Sequence, residues 1–334
     1  MKKELPIEAH PFVEAYQMRA FELSALQGYD ENVVSWLYGK YLNCMYDPTS
    51  RELFNYTCYN RWFPNEGATL LNKIAFTTSA LIDSGINIIK LSCEMIDHDN
   101  YIYGFYNEFF IPHKIAYQDH HFYHDFMIYG YDDVEKNFLS IGYTINRTYE
   151  KFEFSFEQFK KSIYLVIENK VSLNFCKVNK RFDFKLNIRE LYGELDDFLH
   201  SKNRRPSSRS DRIYGLDCER EYINYINMIS ESGNDIDVRF SRLFMEFKKI
   251  MKQRLQYIHE NVCKLNDYAI TDYDIVVDKA IAIHYLCMKY NIIRKPEELQ
   301  KAACIQKEII DKEQEILYDV YKIIREYLGE DKNG

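Results

Sequence analysis

The sequence predicts an α+β protein: a sheet-bearing domain over residues 1–200, a basic linker at 201–212, and a helical region over 213–334. Three observations carry this reading. Short aromatic and β-branched runs fill the stretch from Ile86 to about Val178, as strands require. Beyond Arg212 the apolar residues recur at three-to-four spacing, the helical period. Between them lies the one clear break in composition, Ser201–Arg212, with five basic residues against one acid, Pro206 and four serines, the make-up of an exposed connection.

Taken in order, Phe12, Tyr16, Met18, Phe21, Leu23, Ala25 and Leu26 predict a first helix from Pro11 to Leu26, stopped at Gly28. Turns at Asp47-Pro48 and Pro64–Gly67 follow, then a helix through Leu70–Leu81 ending at Asp83-Ser84-Gly85. Strands are predicted at Ile86–Leu91, Tyr101–Ile111, Phe126–Tyr131, Phe138–Tyr143 and Lys151–Phe156, with Ile163–Ile167 and Val171–Lys177 as extensions of the sheet. Phe152, Phe154 and Phe156 alternate with Glu153 and Ser155, the pattern of a half-buried strand. Asp132–Asn137 joins two strands as a hairpin loop. In the last third, Leu243 to Val262, Asp274 to Tyr290, and a run opened by Pro296 and continued through Leu328 predict a helical bundle. Two roles stay open for that bundle, a wall of the active site or a homodimer interface.

Composition narrows the function. The chain has 334 residues, 46% of them hydrophobic, and a formal net charge of −8. It can bury a core and lacks the basic excess of a nucleic-acid binder. No run reaches the length of a membrane span and the N-terminus has no apolar leader, so a cytoplasmic protein with no membrane and no nucleic-acid partner is expected. The eight cysteines are scattered without a CxxC pair, which points to buried thiols rather than a metal knuckle or a disulfide framework.

Four of the nine histidines, His113, His120, His121 and His124, crowd into twelve residues just before a predicted strand. A histidine fixed by the start of a strand suits a general base, although such a cluster can equally be solvated or capping. Asp119, His120 and His124 could also converge on a metal, but no further carboxylate stands at a diagnostic spacing, and no metal is expected.

The segment His124–Asp133 (HDFMIYGYDD) followed by Phe138–Tyr143 (FLSIGY) resembles the histidine-strand-turn-strand signature of papain-like proteins, closest to the butirosin acyltransferase group. Ile236–Phe240 leading into Met245–Ile258 resembles that group's C-terminal helix, and Pro11–Tyr16 its helix start. The resemblance implies a papain-like fold and an amide-forming acyltransferase. A cysteine at the helix start would take an acyl or peptidyl group from a carrier-protein phosphopantetheine thioester and pass it to an amine during antibiotic biosynthesis, with no cofactor of its own. A cysteine peptidase or amidase, or a non-catalytic binding protein on the same scaffold, are the alternatives.

The resemblance places the nucleophile at position 15, where this chain has Ala15. That residue is either a natural loss or a replaced cysteine. Cys44 and Cys58 are substitutes without a nucleophile's flanking pattern. His124 would be the base. The third triad member belongs near Gly142, for which Asn146 and, less well, Asp132 are the polar candidates. No Gln precedes residue 15, so His10, Gln17 or the residue 15 backbone N–H would stabilise the oxyanion, with Tyr16 and His121 beside the substrate. The basic segment reads as a solvated loop or as a carrier-docking patch through Lys202, Arg204, Arg205, Arg209 and Arg212.

Overall fold

In a computed structural model the chain combines a seven-stranded antiparallel sheet with helices, and its last third is helical. The structure describes residues 1–40, 42–49, 56–58, 70–164, 172–181, 184–204 and 211–329. They fall into two compact units, each built from separate stretches: Met1–Val34 with Arg61–Asp183, and Ser35–Asn60 with Phe184–Gly334.

The first unit holds β1 (Lys2–Glu4), α1 (Gln17–Tyr29), β4 (Leu71–Thr77), α3 (Thr78–Asp83), α4 (Ile88–Asp97), β5 (Tyr101–Asn107), β6 (Tyr123–Asp132), β7 (Asn137–Tyr143), β8 (Tyr149–Ser155), α5 (Phe156–Tyr164) and β9 (Ser172–Val178). The sheet order is β4-β9-β5-β6-β7-β8, with β1 beside β6 at residues 130–132. Side chains alternate between sheet faces, and aromatic rings fill both. Phe21 of α1 meets Tyr103 and Tyr149 on one face at 6.4 and 6.2 Å. Phe159 of α5 meets Tyr106, Phe138 and Phe154 on the other.

Three expectations are corrected here. Residues 11–16 are not helical. Their polar groups bond across the fold instead, Phe12 N–H to Gln27 Oε1 and the Glu14 carbonyl to the Tyr143 hydroxyl, so α1 begins at Gln17. Leu70–Leu81, read as helix, is mostly the strand β4, which pairs along its length with β9 some hundred residues away. Ile86–Leu91, read as strand, opens α4. Asn87 caps that helix by accepting from Lys90 N–H, and Ile88, Ser92 and Ile96 bury at four-residue spacing. Of Ile163–Ile167, Ile163 ends in α5 and residues 165–167 lie outside the described residues.

The second unit contains α2 (Val33–Tyr38, its start in the first unit's segment), β2 (Cys44–Tyr46), β3 (Tyr56–Cys58) and β10 (Ile213–Tyr214). Its helices are α6 (Ile188–Leu199), α7 (Gly215–Ser232), α8 (Val238–Asn261), α9 (Asp267–Ile293) and α10 (Pro296–Tyr327). The small sheet runs β10-β2-β3. Helix α8 packs on α9, α9 on α10 and α10 on α7, joined by short turns. Asp237 caps α8, Gly233 and Arg294 end α7 and α9 in left-handed conformations, and Pro296 takes the first turn of α10.

The unit boundary differs from the expected break at 201–212. Helix α6 belongs with the helical unit: Tyr192 stacks on Tyr321 at 4.8 Å, and Phe198 meets Phe247 at 5.8 Å. The pairing of β10 with β2 draws residues 35–60 into the same unit. Contacts distant in sequence decided this, and no local pattern announces them. Among the described residues no helix is long and apolar enough to cross a membrane.

Candidate functional site

His124 stands second in β6, opposite Tyr106 of β5. Its ring is about two-fifths exposed, and both of its nitrogens face carboxylates: Nδ1 lies 3.3 Å from Glu108 Oε1 and Nε2 lies 3.8 Å from Asp125 Oδ1. Phe122 stacks on the ring at 5.5 Å. Glu108 is almost fully buried. It opens a single 3-10 turn after β5, where Asn107 caps by accepting from Phe109 N–H, and Glu108 N–H donates to the Phe122 carbonyl. Backbone bonds therefore set the carboxylate before it meets the imidazole.

Lys114 lies entirely inside the protein beside them. Its Nζ is 3.8 Å from Glu108 Oε1 and donates to the Tyr143 carbonyl at 2.6 Å, and it sits over the Phe126 and Phe152 rings. Burial lowers its pKa to about 8, partly offset by the Glu108 and Asp125 charges. The absence of a side chain at Gly142 makes room for it: a Cβ there would come within 3.4 Å of Lys114 Nζ and 3.1 Å of Phe126 Cβ.

Gln17, the first residue of α1, ties the helix to both strands. Its Nε2 donates to the Asp125 carbonyl and to Asp125 Oδ1, each at 2.6 Å, and its Oε1 accepts from Tyr143 N–H at 2.8 Å. The Tyr143 hydroxyl donates to the Glu14 carbonyl. Ala15 and Tyr16 thus sit between two residues fastened to the ends of β6 and β7, at the positive end of a thirteen-residue helix.

The expected site residues divide. Ala15 and Tyr16 precede Gln17, which is bonded to Asp125, the residue after His124; the Gln17 amide is taken up by Asp125 and Tyr143, so it is not free to stabilise an oxyanion. At His121, Asn107 Nδ2 lies 2.9 Å from Nδ1, and the ring lies against Phe109. His10 is exposed and pairs with Glu14. Asn146 falls in the turn after β7, where its Nδ2 donates to Glu150, and it makes no bond to His124. Asp132 is at the far end of β6, about 27 Å from His124 at the usual rise per residue, and accepts from the Val134 and Glu135 N–H groups as a turn residue. Both are corrected as partners of His124. The carboxylate beside the ring, Glu108, follows directly on β5, far in sequence from the β7 positions where the resemblance placed it. Its one local signal is the Asn107-Glu108 pair closing a strand.

The other cysteines give no second nucleophile candidate with a lowered pKa among the described residues. Cys44 is buried and donates to the Gly215 carbonyl, in the other unit; the Cys58 side chain lies outside the described residues. Burial raises Cys93 to about 11 and Cys176 to about 12, far from a thiolate at neutral pH. His120 pairs with exposed Asp119, and among the described residues no three ligating side chains converge on a metal position.

The described part of the basic segment is held by its own unit. The Arg204 guanidinium lies over Gly193, where any Cβ would collide with it, and bonds the Glu190 carbonyl and Glu194. Lys202 pairs with Asp196 and Arg212 with Asp47. Arg205 and Arg209 lie outside the described residues. For docking, Arg204 is therefore committed inward: its charge is spent on fixing the end of α6. No protein-family model matches this chain, and no curated protein gives a significant match.

Proposed function

We propose that the chain is an acyl-transfer protein of papain-like type, moving an acyl group from a carrier-protein thioester to an amine with His124 as general base. The single observation that carries this is the part-exposed His124 ring, second in β6, paired with the buried Glu108 carboxylate. A carboxylate on one nitrogen fixes the tautomer and supports the imidazolium formed when the other takes a proton.

Ala15 supplies no sulfur, so in this chain the acyl group passes directly. The amine nitrogen attacks the thioester carbon, and His124 removes the proton from that nitrogen. The tetrahedral intermediate then expels the phosphopantetheine thiolate, which takes the proton back from His124. The positive end of α1 faces the developing oxyanion. No cofactor enters beyond the carrier's own arm. Ala15 and the full engagement of the Gln17 amide favour a second reading, a binding protein that holds the thioester without turning it over.

The test uses the full chain with an acyl N-acetylcysteamine thioester and a primary amine, following amide by mass spectrometry. Aminolysis above the buffer rate that falls about 100-fold in His124→Gln and Glu108→Gln supports the transfer reading. Ala15→Cys is expected to add a covalent acyl group at residue 15. Saturable thioester binding without aminolysis favours the binding protein, and equal rates in wild type and His124→Gln refute the base.

A further inference from the structure

At the other end of the sheet, three lysines converge on one acid. Lys3, Lys177 and Lys180 place their Nζ atoms 3.8, 3.8 and 3.4 Å from Asp99. Asp99 adopts a left-handed backbone (φ 62°) in the turn between α4 and β5, and Lys177 also donates to the neighbouring His98 carbonyl at 2.7 Å. Asp99 is the only acid within ion-pair distance of any of the three among the described residues. Two positive charges are thus left without a counter-charge, in a chain whose net charge is −8. Burial pushes the Asp99 carboxyl up, but the lysines outweigh it and hold the acid below its usual range.

At this cluster is a cavity of about 150 Å³, walled by Pro6, Tyr29, Tyr101 and Val178 and rimmed by Lys177, Lys180 and Asp99 itself. That volume is close to what one benzene-sized ring occupies. Its walls are fixed: the Tyr101 hydroxyl donates to the Pro6 carbonyl at 2.5 Å, and Lys180 lies 5.5 Å from the centre of the Tyr29 ring. Tyr101 begins β5 and Tyr106 is its next-to-last residue, so the cavity stands about 17 Å along the strand from the residue opposite His124, and none of its residues belongs to that site.

We propose that this cavity binds a small ring-bearing phosphate monoester, the ring between Tyr29 and Tyr101 and the doubly charged phosphate on Lys177 and Lys180. Two uncompensated lysines match a dianion better than a single carboxylate. Asp99 orders the lysines in the free protein and competes with the ligand for them.

Titration calorimetry of the full chain at low salt tests this with phenyl phosphate, beside phenol, benzoate and inorganic phosphate. Phenyl phosphate is expected to bind saturably and more tightly than the other three. Its affinity is expected to fall about tenfold or more in Lys177→Gln/Lys180→Gln, the loss of two charge-assisted contacts, and to rise in Asp99→Asn, which removes the competitor. Circular dichroism and a thermal melt check the fold of each variant; should the double variant unfold, Lys180→Gln alone, at a half-exposed position, gives the same reading. No saturable heat with phenyl phosphate, unchanged affinity in the lysine variants, or weaker binding in Asp99→Asn overturns the proposal.

Discussion

Replacing Lys248 with Met probes the most deeply buried charges in the helical unit. Lys248 of α8 donates to Glu219 of α7 and Glu313 of α10, all three side chains fully buried, and the Tyr273 hydroxyl of α9 donates to Glu313. The ammonium also lies 4.6 Å from the Phe244 ring centre and 5.0 Å from that of Phe247. Burial raises Glu219 to about 8, against the pull of Lys248. Its Oε2 finds no donor, and protonation converts that oxygen into a donor toward the neighbouring carboxylate. Near neutral pH the cluster is thus one ammonium, one carboxylate and one carboxylic acid, with no net charge.

Lys248→Met removes the only cation from this cluster and leaves a buried carboxylate uncompensated, a loss of about 3–5 kcal/mol. The pH dependence has a definite sign. A carboxyl whose folded pKa lies above its ordinary 4.5 contributes stability that is fully present below 4.5 and is lost as pH rises through the folded value. Without Lys248 no cation of the cluster opposes the burial of carboxylate charge, so the deficit against wild type is expected to be larger at pH 8 than at pH 5. Urea unfolding followed by circular dichroism at 222 nm at both values measures it. Glu219→Gln replaces a group already mostly neutral and is expected to cost at most about 1 kcal/mol at pH 7, whereas Glu313→Gln is expected to cost several times that. Equal losses for Lys248→Met at both pH values, or a Glu219→Gln cost matching that of Glu313→Gln, would refute the reasoning.

Other outcomes follow from the sheet unit. Gln17→Ala removes three hydrogen bonds joining α1 to β6 and β7 and is expected to lower stability by about 2–3 kcal/mol in the same urea assay. Gly142→Ala brings a methyl group against Lys114 and Phe126, an overpacking cost of about 1–3 kcal/mol, which Lys114→Met is expected to reduce in the double variant. The Lys114 pKa is depressed to about 8, so between pH 8 and its ordinary 10.5 the unfolded chain binds the extra proton. Wild type is therefore expected to gain stability across that range relative to Lys114→Met; a parallel pH profile for the two would show that burial does not perturb this lysine. Asn87→Ala removes the cap of α4 and is expected to cost about 1 kcal/mol, read as a drop in the urea midpoint.

The long helices were legible because their information is local. Apolar residues at three-to-four spacing, Pro296 at a helix start and the turn residues between elements predict α8, α9 and α10 without reference to anything distant. The alternation of β8 and the Asp132–Asn137 turn made the β6-β7-β8 meander readable for the same reason. Position 15 is named only through the resemblance, and the structure places it just before α1, with His124 second in β6. Tertiary structure decided the rest. Leu71–Thr77 is a strand because β9 offers its edge, and the short run Ile86–Leu91 went to helix because Asn87 caps it and its apolar side chains meet the sheet. Only folding shows that Glu108 rather than Asn146 or Asp132 holds His124, and that Lys114 fills the space beside Gly142. Hydrogen bonds and burial act between residues that the chain brings together, and periodicity records only which face of an element is turned inward.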